Sequence, residues 1–224
     1  MPGPSSPLIL VINTGSTSTK VALFRGRRAV TEQTVRHPVE DLNAFRRLVD
    51  QVPMREAAVL DVLGRSGAAP AELDAVSCRG GLLAPLPSGA YRVGPKMLDA
   101  LRAGRYGVHA SNLSGIIGSR IAEEADAPAF IVDPVVVDEM CAEARYSGIP
   151  EIERRSIWHA LNQKAVARRV AQKLGKRYEE ANLIVVHLGG GTSVAAHRRG
   201  RAIDVNNALD GDGPFAVERS GGLP

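Results

Sequence analysis

Two stretches of the chain, 175 residues apart, repeat one pattern. LILVINTGSTSTKVALFRGR at 8–27 and LIVVHLGGGTSVAAHRRGR at 183–201 each read as an apolar run, a Gly/Ser/Thr turn, a returning run and a basic turn holding a glycine. At that offset Leu8/Leu183, Ile9/Ile184, Val11/Val186, Gly15/Gly190, Thr17/Thr192 and Ser18/Ser193 coincide. Six identities weigh little alone. The shared order of buried strand, turn and returning strand gives them weight, because a repeated supersecondary unit indicates a duplicated domain.

The residues between the two copies alternate helical and extended patterns, which argues for an α/β protein. Helices are expected over 41–52, ended by Pro53, and from Pro53 to Leu63, stopped by Gly64. A short strand over 73–78 leads into RGGLL. Helices follow over 95–103, closed by Gly104, and over 111–125. AFIVDP at 129–134 reads as a buried strand with an acidic residue at its end. Residues 157–174 place Leu161, Ala165, Val170 and Leu174 at helical spacing, with Gly175 as the cap.

Composition narrows the class. With 224 residues and 44% hydrophobic content, the chain has material for one large domain or two small ones, and is neither disordered nor fibrous. No apolar run approaches the roughly 20 residues of a bilayer span. The opening MPGPSSPLIL has no basic region of the kind that starts a secretory signal. Cys78 and Cys141 make neither a disulfide framework nor a zinc site, so a reducing, cytoplasmic setting is expected. Of 28 cations 23 are Arg, yet the basic runs at 25–28 and 198–201 each contain a glycine and read as hairpin turns. They form no long stripe interleaved with aromatics, so neither nucleic acid nor membrane is an expected partner.

The turns themselves point to an anion. A Gly/Ser/Thr turn after a buried strand can aim backbone N–H groups and hydroxyls at one concavity, and a glycine there provides φ > 0 and close approach to a ligand. The pattern G-x-x-x-x-G-K-[ST] does not occur. A strand rather than a helix follows the glycines, which excludes a Rossmann fingerprint. Ordinary hairpin turns are the bland alternative; duplication favours phosphate.

INTGSTSTK, RGGLL, HASN, IVDPVVVDEM, IWHALNQKAVARR, VVHLGGGTSV and IDVNNALDGDGPFAVERSGGLP together resemble the acetate and butyrate kinases. These are acyl kinases of the sugar kinase/Hsp70/actin superfamily, and the likeness runs over 8–224. It implies an α/β, ribonuclease H-like fold of two duplicated lobes around five-stranded sheets, with nucleotide and substrate in the cleft between them. The lobes would divide at 1–158 and 159–224. The implied chemistry takes ATP, Mg2+ and a short-chain carboxylate to an acyl phosphate and ADP, in a homodimer or larger homo-oligomer. Branched-chain, propionate and acetate kinases are the alternatives within the family. A kinase acting on a hydroxyl is less suited, because Arg and His rather than a catalytic base dominate the expected site.

Phosphorylating a carboxylate brings two anions together, so the protein must position and neutralise charge. By resemblance Arg79, expected as a free guanidinium on a loop, and Arg219 meet the carboxylate and the moving phosphoryl group. Asp133, alternatively the residue leading the turn at Pro134, organises magnesium or orients the substrate, and Asn13 bonds a phosphate oxygen or a metal-bound water. His159 contacts the transferring phosphoryl. Asn13, Gly15, Ser16, Thr17, Ser18 and Lys20 in the first turn hold phosphate. His187, Gly189, Gly190, Gly191, Thr192 and Ser193 do so in the second; the alternative for Lys20 is to point outward from the returning strand. His109 and Asn112 serve the substrate, with Leu82 and Val135, joined by Leu83 and Val136, as acyl-pocket walls. His37 and His197 are read as core residues. The second hairpin begins about forty residues before Pro224, so a second lobe of ordinary size is expected to be truncated, with an open sheet edge, weak ATP binding and little turnover.

Overall fold

The computed structural model describes residues 6–210 and 212–222. The opening pentapeptide, Gly211 and the last two residues of the SGGLP segment lie outside the described residues. The chain forms two compact units. One runs up to Leu83 and takes in Gly89–Val132, and the other comprises Ala84–Ser88 and the chain from Asp133 onward. This division by packing differs in kind from the lobes read from the repeat, because residues 133–158 pack with the second hairpin although they precede it.

In the first unit, β1 (Leu8–Thr14), β2 (Ser18–Arg25) and β3 (Arg28–Arg36) form an antiparallel meander. β4 (Ala75–Cys78) and β6 (Ala129–Val132) extend it in parallel, and β5 (Ala90–Arg92) closes it antiparallel, giving the order β3-β2-β1-β4-β6-β5. The sheet therefore has six strands where five were expected. Alternation places Leu8, Leu10 and Ile12 of β1 inside, with Val76 and Ile131 of the parallel strands. Helix α4 (Asn112–Glu124) covers them with Leu113, Ile116, Ile117 and Ile121. Close helix–strand approach is enforced at Gly118, where a Cβ would overlap the Cys78 sulfur. Burial there pushes the Cys78 thiol up to about 12.

The helix expected over 41–52 is broken. A short α1 (Val39–Asn43) ends, Arg47 turns extended, and Asp50 accepts from the Arg47 backbone N–H at 3.1 Å, restarting the chain as a 3-10 turn over Leu48–Gln51. The side-chain cap outcompetes the helical ladder. Helix α2 (Val52–Arg65) then carries Pro53 in its first turn and runs one residue past Gly64. Helix α3 (Pro95–Ala103) ends on left-handed Gly104 as expected.

The second unit repeats the meander as β7 (Asn182–Leu188), β8 (Thr192–Arg198) and β9 (Arg201–Val205). Both basic glycine turns are hairpin turns, and in both meanders the pairing of the second strand with the third shifts register, opposite Leu23/Phe24 and Ala196/His197. The gapless offset of 175 does not survive the turn, however. With Leu8 and Leu183 equivalent, Asn13 pairs with Lys20, whereas its counterpart Leu188 pairs with Thr192 rather than with position 195. The second hairpin closes three residues sooner, so Thr17/Thr192 and Ser18/Ser193 are not structural equivalents.

Helix α5 (Ala160–Lys173) packs on β7, though not by the apolar stripe its sequence suggested. The buried positions are Ala160, Gln163, Lys164, Ala167 and Ala171, while Leu161, Val166, Val170 and Leu174 are exposed. The small residues admit Tyr178, and Lys164 is compensated by Glu139 at 2.8 Å. Burial of a charge is tolerated only with such a partner.

Candidate active site

The first turn is held from inside by a cation. Gly15 N–H donates to Ser18 O at 2.8 Å, tightening the loop. Arg55 of α2, wholly buried, donates to the carbonyls of Gly15 (3.0 Å), Ser16 (2.8 Å) and Ser18 (3.1 Å), to the Thr19 hydroxyl (3.2 Å) and to Gln51 Oε1 (3.0 Å). His37 N–H takes the Thr17 carbonyl at 2.9 Å. In a planar trans peptide the N–H opposes the C=O, so the Ser16 and Thr17 N–H groups face away from Arg55, as an anion nest requires. None of Gly15, Gly189, Gly190 and Gly191 has positive φ among the described residues, which removes one of the two reasons given for glycine. Space is the other reason, and it holds in the second turn. Lys20 is exposed on β2, opposite Asn13. His37 is buried against Thr19 at 2.9 Å, and burial first, then the Arg55 charge, lowers its pKa.

Arg79 is not a free guanidinium. Its backbone N–H continues the β1 pairing by donating to Ile12 O at 3.0 Å, and its Nη1 donates to Asn13 Oδ1 at 3.3 Å. Burial lowers its pKa, and it is half-buried beside β1. The glycines after it are constrained: Gly80 has φ +76°, and a Cβ on Gly81 would overlap Asn112. Asn112, expected at the substrate, uses its carboxamide as a staple, accepting from Leu82 N–H at 2.9 Å and donating to Gly107 O at 2.9 Å. His109 Nδ1 meets the Ser111 hydroxyl at 2.7 Å, and Thr14 anchors the same loop through Ala110 O at 2.7 Å. Leu82 and Leu83 are core residues of this unit, and Val136 of the other. Val135 is half-buried and accepts the Trp158 N–H at 2.9 Å.

The second unit gathers His159, His187 and the second turn. His159, at the head of α5, places Nδ1 2.9 Å from the Ser193 hydroxyl. Its ring stacks on His187, centroids 3.8 Å apart and 9° from parallel, and His187 Nδ1 contacts Asn162 Oδ1 at 3.0 Å. Asn206 braces the turn, accepting from Val194 N–H at 2.6 Å and donating to Thr192 O at 3.1 Å. A Cβ on Gly191 would overlap the Arg219 guanidinium, and one on Gly190 would meet the Glu218 carboxylate at 2.8 Å. Arg219 thus lies against the glycines, with Glu218 beside it.

Three kinds of comparison bear on this arrangement. A model described as "Acetokinase family" matches residues 147–213, the stretch that holds His159, His187 and the second turn. Butyrate kinase 1 of Clostridium acetobutylicum is 53% identical over 216 residues, which are 96% of this chain and 61% of that protein. The chain is similar to the acetokinase family in that stretch and to this relative over nearly all of its own length. It spans 61% of the curated relative's length. Solved structures agree at the level of fold. Acetate kinase of Porphyromonas gingivalis superimposes with TM-score 0.70 at 18% identity, covering 98% of this chain and 62% of that one. A propionate kinase from Francisella tularensis gives 0.66 at 21%, covering 97% and 62%.

Asp133 ends the AFIV strand in a left-handed conformation (φ +39°) and is buried. It accepts from the Ser88 hydroxyl at 2.5 Å and lies 3.7 Å from Arg168. No cluster of three His, Cys, Asp or Glu occurs among the described residues, so no all-protein metal cage is present there. One carboxylate suits magnesium, which retains waters and takes its other oxygens from phosphates. Asn13 fits less well, because its oxygen already receives the Arg79 guanidinium. No helix among the described residues is long and apolar enough to cross a membrane.

Sequence reasoning missed Arg55, Gln163, Asn206 and Ser88. Arg55 carries no motif signal, since a lone arginine in an amphipathic helix reads as solvated. Gln163 lies inside WHALNQK, where attention fell on His159.

Proposed function

We propose that the chain contributes to an acyl kinase that transfers the γ-phosphoryl of ATP to a short-chain carboxylate, butyrate first, giving an acyl phosphate and ADP. The observation that carries this reading is the His159–Ser193 hydrogen bond (2.9 Å), which joins an imidazole donor to the glycine turn inside one compact unit. The name of the 53% identical relative supports the carboxylate acceptor.

In this reading the amides of 189–193 receive nucleotide phosphate, and those of Ser16 and Thr17 receive anion in the other unit. His159 donates to the phosphoryl oxygens as charge builds there, and Arg219 neutralises it. Arg79 orients the carboxylate, steered by Asn13. Asp133 would hold magnesium, which supplies charge neutralisation when bound, while Arg168 and Ser88 fix the carboxylate's rotamer. No side chain needs to act as a base, because the acceptor is already an anion at neutral pH. A cytoplasmic setting and a homo-oligomer belong to the same proposal.

Hydroxylamine trapping tests it on the polypeptide extended to its relative's length. Hydroxamate from butyrate and MgATP, lowered at least a hundredfold by Arg219→Ala, is expected; none with any short-chain acid overturns it. A second reading, nucleotide binding without turnover, is favoured for the 224 residues alone by the exposed apolar residues Ile184, Val186 and Leu188 on β7. Calorimetry with MgATP and hydroxylamine trapping on the same 224 residues separate the two: binding without hydroxamate supports the second reading, and hydroxamate overturns it.

A further inference from the structure

A buried chain of polar groups runs from the interior of the second unit to His159. Tyr178 Oη lies 2.6 Å from His197 Nδ1, and His197 Nε2 lies 3.1 Å from Gln163 Oε1. Gln163 Nε2 donates to the Ser193 carbonyl at 3.0 Å and to the Ser193 hydroxyl at 2.7 Å. The Ser193 hydroxyl meets His159 Nδ1 at 2.9 Å and the His159 backbone N–H at 3.4 Å. Gln163 and Ser193 are wholly buried, and His197 is 2% exposed.

Donor and acceptor accounting fixes every proton along this chain. The Ser193 carbonyl can only accept, so the carboxamide atom beside it must be the NH2 group, and Gln163 Oε1 must face His197. That oxygen only accepts, so His197 carries its proton on Nε2, and Tyr178 donates to Nδ1. The Ser193 hydroxyl accepts from Gln163 and from the His159 backbone. Its one proton is left for His159 Nδ1, which must therefore be bare.

We propose that Gln163 is a positioning residue: through the Ser193 hydroxyl it holds His159 as the Nε2–H tautomer, so that the imidazole meets phosphate as a directed N–H donor. This rests on the role given to His159 above, but the tautomer exists without nucleotide. The stacked His187 ring restrains the same imidazole from one face, so one orientation and one tautomer are selected together. The second turn thereby does two jobs, since Ser193 belongs to the anion loop and orients the donor.

The test is long-range 1H–15N correlation on the 224-residue chain labelled at histidine, with His159→Gln assigning the signals by their loss. At neutral pH, without ligand, His159 should show a downfield, unprotonated Nδ1 and a protonated Nε2. In Gln163→Glu, a carboxylate cannot donate; Ser193 turns to donate to it, and the His159 proton should move to Nδ1. In Ser193→Ala, Nδ1 loses its donor and the two signals should approach a tautomer average. A wild-type His159 protonated on Nδ1 overturns the proposal whatever the variants do. So does an unchanged tautomer in folded Gln163→Glu and Ser193→Ala proteins. The expected tautomers with no hydroxamate from the extended polypeptide would leave this inference standing and count against the kinase reading.

Discussion

The same hairpin is folded twice in this molecule, in two environments. In the first unit β1 has β2 on one edge and β4 on the other, and α4 lies over Leu8, Leu10 and Ile12, each at most 2% exposed. In the second, β7 is hydrogen-bonded to β8 alone among the described strands. Its inward positions Leu183, Val185 and His187 are only half-buried, and Ile184, Val186 and Leu188 are 71%, 50% and 78% exposed. The side-chain alternation is identical, yet every position is one step wetter. Alternation fixes which face a residue takes, and the neighbouring elements fix how much that face is worth. The turns differ likewise: a guanidinium, Arg55, holds the first, whereas two carboxamides, Gln163 and Asn206, hold the second.

The largest effect that would break this comparison is at Arg55. Arg55→Met removes a buried cation and leaves the Gly15 and Ser16 carbonyls without a donor, Ser18 O keeping the Gly15 N–H, at an expected cost of about 3–5 kcal/mol in urea unfolding. Asn206→Ala, the counterpart brace, should cost about 1–3 kcal/mol. Equal losses would show that the two turns are held alike. Next come the paired core positions. Leu10→Ala should cost about 2–5 kcal/mol, and its counterpart Val185→Ala roughly 1 kcal/mol, since less area is withdrawn from water.

A pH experiment sharpens the contrast between the interiors. Burial, aided by Lys164, depresses His197 to about 4. The unfolded chain therefore binds this proton first, so stability is undiminished above about pH 6.5 and falls as pH drops towards about 4. Thermal midpoints of wild type and His197→Asn should converge across that window, the wild type losing the advantage its neutral network provides. Parallel curves would show that His197 is not the group responsible. The smallest effect is expected at β7's outer face, where Ile184→Lys should change stability by less than about 0.5 kcal/mol.

Much of the fold was legible. Both hairpins, their basic turns, α3 with its glycine cap and the parallel strands follow from period and punctuation. The break at Arg47 was not, because Asp50 captures its backbone by a side-chain bond that periodicity does not encode. Nor was the orientation of α5. Leu161, Val170 and Leu174 carry the hydrophobic signal, but alanines and a compensated Lys164 face inward, since a helix packed closely on a strand selects for small side chains rather than large ones. Of the candidate site, the glycine turns, His159 and Arg219 stood out as motifs. Arg55 and Gln163, which hold those turns, did not.

Sequence alone determined the repeated strand–turn–strand unit, its polarity pattern and the residue types able to bind phosphate, because these depend on neighbours along the chain. Tertiary structure alone decided that the second hairpin closes three residues sooner, that Asn112 is a staple, and that Gln163 governs the proton on His159. The last two outcomes depend on which donors and acceptors meet across 30 residues of chain, and no local pattern records such a meeting.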